Sequence, residues 1–286
     1  MAQAKTIQEN SVSVEDNPIL KGNFAPVAAE LTAHDLVVEG NIPEALTGMQ
    51  LRDGPNPMAP GPGHHWFQGN GMIHGINLSG GGAQVYRNRW VRTAEVETLK
   101  GWPAGKLSPN QPLQQGSGSV NVIGHGGRIL ALGEVGLPWE LDGDLNTIGQ
   151  HDFDGALASN MTAHPKIDPV TGEMVFFGYD FGPVSLRYHV ADRAGKLLRT
   201  VEIAKPVPTM MHDFGVTATR VIFMDLPVAF DLEMAMAGNG LPFRWRDDMP
   251  ARLGILHRAA TKDDVQWITI PPVTSIILST PMTKAI

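Results

Sequence analysis

"EMVFFGYDFGPVSLRYHVADRAGKLLRTVEI", Glu173 to Ile203, decides the fold class of this chain. It holds three short runs rich in aromatic and β-branched residues, the composition that suits a pleated, half-buried surface. "DPVTG" (Asp168 to Gly172) leads into the first run, and "DRAGK" (Asp192 to Lys196) turns "SLRYHVA" into "LLRTVEI". Within "SLRYHVA", Leu186, Tyr188 and Val190 alternate with the two-residue period of a strand, which sends His189 to the opposite face and, by expectation, to solvent. Strands joined by tight turns follow.

The same pattern extends outward. Upstream lie "AQVYRNRWVRT" (Ala83 to Thr93), "SVNVIG" (Ser119 to Gly124) and "RILALGE" (Arg128 to Glu134), the last two separated by the hairpin-like "GHGG". Downstream, "TRVIFMDLP" (Thr219 to Pro227) reads as a further buried strand, and only "LEMAMAGNG" (Leu232 to Gly240) looks helical. Residues 1–20 are polar and aperiodic, so a loose arm is expected there. Many short strands imply an all-β sandwich, barrel or propeller, and no fixed-period repeat signature chooses among them.

Composition removes several function classes. A chain of 286 residues with 42% hydrophobic and 18% charged residues is that of a soluble globular protein. A net charge of -7 with no basic run gives no reason to expect nucleic acid as a partner. Cys 0 excludes disulfides, thiolate metal sites and cysteine nucleophiles. Neither a secretory apolar segment nor a bilayer-length run is visible, so a cytoplasmic protein, at most peripheral to a membrane, is expected. "PGPGHHWFQGNGMIHGI" (Pro60 to Ile76) is a poor phosphate loop: its "GNG" lacks the following Lys-Ser/Thr and opens no helix.

Among ten histidines, most read as structural. His34 and His125 lie in turns, and His64 and His65 are adjacent, so an extended backbone sends them to opposite faces. His74, His151 and His257 carry no local metal signature. His164 in "MTAHPKIDPVTGE" and His212 in "PTMMHDFGV" differ, each standing at a strand end beside small or apolar residues. Forty-eight residues apart, they form no short-range metal motif, and spacing alone leaves core histidine and metal ligand both open.

Six motifs carry a resemblance. "LRDGPNP" (Leu51 to Pro57), "HWFQGNGMIHGI", "NRWVRT", "LALGEVGLPWELD" (Leu130 to Asp142), "TAHPKIDPVTGE" and "MHDFGVT" resemble, in this order, the carotenoid cleavage oxygenase family, over about residues 17–270. The resemblance implies a seven-bladed β-propeller with Fe(II) on its axis held by four histidines, each from a different blade. It places His164 and His212 as the first two metal ligands. Glu134 matches a glutamate that accepts a hydrogen bond from a ligand's other ring nitrogen, a contact that fixes the tautomer and strengthens the donor. If both imidazoles bind one ion at about 2 Å, their nitrogens should lie within roughly 4 Å of each other. The implied reaction inserts both atoms of O2 across a conjugated C=C bond, giving two carbonyl products. The implied partners are O2 and an apolar small molecule, with peripheral membrane contact for its uptake. Stilbene cleavers in the family grip a phenol oxygen with a Lys and a Tyr whose places here hold Gly133 and Trp90, so a carotenoid or apocarotenoid is expected, with a stilbene as the alternative.

The later part of the family pattern is missing. No histidine follows His257, and the chain ends "PPVTSIILSTPMTKAI" where a Tyr-x-x-His-Pro-x-Asn-Ala-Tyr-Asp/Glu string is expected. Read one base earlier, codons for Thr274 to Ile286 permit Tyr-Phe-His-His-Pro-Leu-Asn-Ala-Tyr-Asp-Glu-Gly-Asp. The expectation is therefore a partial propeller of about four blades over 21–272 and an out-of-frame tail over 273–286, with the third histidine replaced near Ile277. Such a chain is expected to be impaired. The competing readings are a non-catalytic propeller fragment and a metal-dependent propeller hydrolase, the latter without a carboxylate or amide ligand motif to support it.

Overall fold

The computed structural model describes residues 14–61, 64–180, 184–205, 207–237 and 242–275. Four antiparallel sheets of four strands follow one another along the chain. The first contains β1 (Leu31–His34), β2 (Gly48–Pro55), β3 (Gly71–Ser79) and β4 (Gly82–Trp90), in the order β1-β4-β3-β2. The second runs in chain order through β5 (Asn121–His125), β6 (Arg128–Leu132), β7 (Trp139–Leu141) and β8 (Thr147–Gln150). The third comprises β9 (Lys166–Ile167), β10 (Met174–Tyr179), β11 (Leu186–Ala191) and β12 (Leu197–Ile203). The fourth opens with β13 (Phe214–Val216) and β14 (Arg220–Asp225). A separate pair, β15 (Val228–Phe230) and β16 (Phe243–Trp245), is inserted before β17 (Ala251–His257) and β18 (Gln266–Ile270) complete it. These sheets are four blades of a β-propeller.

Apolar clusters lie between successive blades. Ile73 and Val91 meet Ala131, Trp139 and Leu141 between the first and second blades. Leu130 and Leu132 meet Met174, Phe176 and Ala191 between the second and third. Phe177, Tyr188 and Val190 meet Phe214, Val221, Phe223 and Leu256 between the third and fourth. Fully burying one such side chain contributes about 1.5–3 kcal/mol, so these seams outweigh the exposed ion pairs as the source of cohesion.

Packing on both faces corrects one expectation. His189 is not on solvent: it is 1% exposed, on the face of β11 that turns toward the second blade. Alternation within one strand tells the two faces apart, but in a propeller both are covered. Two smaller corrections concern local structure. His125 ends β5, and the turn proper is Gly126–Gly127, whose positive φ values of 57° and 76° suit a two-residue hairpin loop. A helix, α1 (Ala94–Lys100), was not expected; Thr93 accepts a hydrogen bond from the Val96 N–H at its start, and Gly101 ends it in the left-handed region. The helix expected over Leu232 to Gly240 is present as α2 (Leu232–Ala237), and 238–240 lie outside the described residues.

Of the arm expected over residues 1–20, residues 1–13 lie outside the described residues, and Asn17 is not loose. It is buried, and its Nδ2 donates to the carbonyl of His64 at 2.9 Å, so the ordered contacts begin before residue 20. At the other end, residues 273–275 form no strand. Ile277 and the rest of the expected out-of-frame tail, 276–286, lie outside the described residues.

Candidate metal centre

His164 stands two residues before β9 and His212 two residues before β13, the same place in two successive blades. Their Nε2 atoms approach to 2.8 Å, with ring centroids 4.4 Å apart at 66°. The blade repeat explains why residues 48 positions apart meet: each first strand begins where the blades converge. The His164 segment is held from both sides, since Asn121 Nδ2 donates to the Ala163 carbonyl at 2.8 Å and the Thr162 N–H donates to the Phe177 carbonyl at 3.0 Å. The His212 segment is anchored by Met211, buried in the seam between the third and fourth blades, and by the Met210 N–H, which donates to the Val228 carbonyl at 2.8 Å.

Glu134, from the bend after β6, brings in the second blade. Its Oε2 lies 2.7 Å from His212 Nδ1. Its Oε1 accepts from the Tyr179 hydroxyl at 3.2 Å, from the end of β10. Asn160 steadies this arrangement: its Oδ1 accepts from the Gly136 N–H at 2.9 Å and its Nδ2 donates to the Tyr179 carbonyl at 2.8 Å. Gly178 is required by this approach, because a Cβ there would sit 1.7 Å from the Asn160 carbonyl oxygen.

The electrostatics assign the protons. Burial, followed by the charge of its neighbour His212, lowers the pKa of His164, so its ring is neutral. Burial also pulls His212 down, but the hydrogen bond and charge of Glu134, with Asp213, outweigh it and raise the net value. Burial raises Glu134 as well, opposed by the hydrogen bonds from His212 and Tyr179. With two donors directed at its two oxygens, Glu134 acts as an ionised acceptor that keeps the His212 proton on Nδ1. A hydrogen bond between the facing Nε2 atoms requires one proton between them; a divalent ion can take the place of that proton, with the two lone pairs as donors. The donor chemistry fits Fe(II), which imidazole suits. Among the described residues the donor set stops there: no group of three or more His, Cys, Asp or Glu side chains could hold a metal.

The imidazoles open onto a cavity of about 380 Å³, in the size range of small-molecule sites. Pro55, Trp66, Phe67, Val120, Met210 and Phe243 make its wall largely apolar. The glycine-rich stretch dismissed as a phosphate loop thus contributes two aromatic rings instead. Tyr179 and Asp53 also line it and were not singled out from the sequence. Tyr179 reads as an ordinary aromatic of a buried strand. Burial holds the Asp53 carboxyl well above the usual carboxylate range, and a strand position carries no mark of that.

Known proteins are similar to this chain over most of its length. The family described as RPE65, retinal pigment epithelial membrane protein, matches residues 24–276. A carotenoid cleavage oxygenase of Mycobacterium tuberculosis is 39% identical over 300 residues, covering 90% of this chain and 60% of the relative. A carotenoid 9,10(9',10')-cleavage dioxygenase of Crocus sativus is 38% identical over 284 residues, covering 88% and 52%. Among solved structures, the lignostilbene dioxygenase of Pseudomonas brassicacearum aligns with a TM-score of 0.77 at 30% identity, over 90% of this chain and 56% of that one. A cobalt-substituted Synechocystis ACO aligns with a TM-score of 0.73 at 29% identity, over 86% and 57%. The chain therefore spans between about half and three fifths of the length of these proteins.

Proposed function

Because the chain belongs to the carotenoid cleavage oxygenase family, we propose that His164 and His212 are two ligands of a non-haem Fe(II) ion in a dioxygenase that cleaves a conjugated C=C bond of a carotenoid or apocarotenoid, yielding two carbonyl products. The observation that carries this reading is the 2.8 Å approach of the two Nε2 atoms, backed by Glu134 and facing an apolar cavity. Bound there, the ion supplies the redox chemistry that activates O2.

The chain's own residues supply the rest. Glu134 keeps the His212 proton on Nδ1 and so leaves Nε2 free to bind metal. Tyr179 occupies the other Glu134 oxygen and limits its rotation. Trp66, Phe67 and Phe243 line the space for a polyene and exclude water from it. Phe24 is 53% exposed and packs against Trp66 at 4.5 Å, giving the cavity an apolar rim suited to taking substrate from a lipid surface.

A stilbene is the second reading, favoured by the likeness to the lignostilbene dioxygenase. Trp90 weighs against a phenol grip, since it is 3% exposed and its indole N–H already donates to the Asn56 carbonyl.

Among the described residues only two imidazoles converge, and no group of three or more His, Cys, Asp or Glu side chains could hold a metal. Losing a partner that only orients a ligand already costs about 10- to 100-fold in affinity or activity. The reading is thus of weak iron retention and slow turnover. Anaerobic Fe(II) loading, desalting and iron analysis, followed by O2 and an apocarotenal with detection of aldehyde products, tests it. Iron retention and any cleavage should both vanish in H164A/H212A. Retention unchanged in that variant overturns the metal assignment, and products other than a pair of carbonyls overturn the reaction class.

A further inference from the structure

Beside the two imidazoles an ion pair crosses the seam between the third and fourth blades. Lys166, the first residue of β9, reaches from the third blade to Asp213 of the fourth, with Nζ 2.7 Å from Oδ1. Asp213 is 2% exposed and Lys166 20%. The contact lies two residues after His164 and one after His212, so it joins the two chain segments that carry the facing rings.

The strand ladders do not extend to the imidazoles. β9 is two residues long, and its pairing with β10 ends at Lys166↔Val175. β13 is three residues long, and its pairing with β14 ends at Phe214↔Phe223. Both histidines project beyond these last pairs. The apolar cluster behind them holds the two blades together, but apolar contact is non-directional and tolerates sliding. Metal–ligand distances tolerate only about 0.2 Å. Arg258, just after β17, ties the same seam to Asp168, just after β9, and to Glu173; next to the imidazoles the directional constraint is the hydrogen-bonded Lys166–Asp213 pair. Asp213 is itself oriented, because its Oδ1 also accepts from the Phe214 N–H at 2.8 Å. The Lys166 ammonium lies 5.8 Å from the centroid of the Phe214 ring, which confines it on the fourth-blade side of the seam.

We infer that Lys166 and Asp213 are positioning residues, a tie across the blade seam that sets the separation of the His164 and His212 rings and so their ability to share one metal ion. A buried ion pair is weak evidence for added stability, since two desolvated charges gain little net over neutral residues. Its effect here is on register. The inference rests on the two imidazoles being metal ligands, and the test separates the two claims.

The probe is Cu(II) alone, the divalent ion that nitrogen sites bind most tightly, titrated into the 286-residue chain. Electron paramagnetic resonance counts the coordinated imidazole nitrogens, and urea unfolding of the same samples reports stability. The variant K166M/D213N removes both charges and leaves neither buried alone. It should keep an unfolding midpoint close to that of the parent, bind Cu(II) at least about 10-fold more weakly, and lose the two-nitrogen signature. D213N retains an acceptor for the Phe214 N–H and lets Lys166 extend to solvent, so it folds with least disturbance and should show a smaller loss in the same direction. Lys166→Arg, which keeps the charge and the donor, should restore the two-nitrogen spectrum. A two-nitrogen spectrum and unchanged affinity in both K166M/D213N and D213N overturn the tie. If the parent itself shows no two-nitrogen spectrum, and His164→Ala and His212→Ala leave Cu(II) binding unchanged, the metal assignment falls and the tie falls with it.

Discussion

His189 and the His164–His212 pair are two answers to the problem of burying an imidazole. His189 lies between the second and third blades with Nε2 3.1 Å from Ser159 Oγ and Nδ1 2.9 Å from Thr200 Oγ1. Its ring stacks on Phe176 at 4.8 Å and 19°. Burial, with Arg187 nearby, lowers its pKa to about 3. Each nitrogen has a neutral hydroxyl partner, and the ring fills a packed seam. His164 and His212 are less perturbed in acidity but turn their Nε2 atoms toward each other beside a cavity, with a carboxylate behind one of them. The more strongly shifted histidine is the structural one. Perturbation marks burial; convergence of donors on shared space marks a site.

Acid separates the two kinds of histidine most. Between pH 6.5 and about 3 the unfolded chain binds a proton at His189 that the folded chain does not. Stability is therefore lost as pH falls through that window, by up to about 5 kcal/mol when the loss is complete. His189→Gln should lack this part of the acid slope in urea-unfolding curves taken across the window, and an unchanged slope would show that the niche does not hold a neutral ring.

The next effect lies at the pair. His212→Ala should weaken Cu(II) or Fe(II) binding by at least about 100-fold, beyond the effect of losing an orienting partner, while binding of an apolar polyene, read by its absorbance shift, survives. Metal affinity that is insensitive to this change would make the pair no different in kind from His189.

Gly178→Ala tests the frame around Glu134. The added Cβ meets the Asn160 carbonyl at 1.7 Å, so the loop must move, at about 1–3 kcal/mol of stability. Denaturant midpoints measure that, and the metal titration should weaken in parallel because Asn160 steadies the turn after Glu134.

The smallest change is Tyr179→Phe. It deletes the hydroxyl on Glu134 Oε1, a net contribution of roughly 1 kcal/mol for one hydrogen bond. Metal affinity should fall several-fold with the fold intact. A loss as large as that of His212→Ala would give Tyr179 a closer role than holding the carboxylate.

Much of this molecule was legible in its residues. The strands around Glu173–Ile203 follow from two-residue alternation and turn chemistry, which are local, and the observed β10, β11 and β12 fall within one or two residues of the expected runs. Through their motifs, His164, His212 and Glu134 could be named from the sequence as a set. Tyr179 could not, because a tyrosine ending an apolar strand looks the same whether it faces core or carboxylate. The α1 helix carried its signals in Thr93 and Gly101, but seven residues among strands are easily passed over.

Strands, turns and candidate donors follow from the residues alone, since these depend on neighbours a few positions apart. Which faces are buried, that His189 is satisfied within a seam, and that Lys166 meets Asp213 beside the facing rings emerge with the packing of the blades. The physical reason is that blades pack against each other on both faces and bring their first strands together. Contacts between residues 45 to 78 positions apart, such as Tyr179 with Glu134 and Glu134 with His212, exist only once that packing has formed.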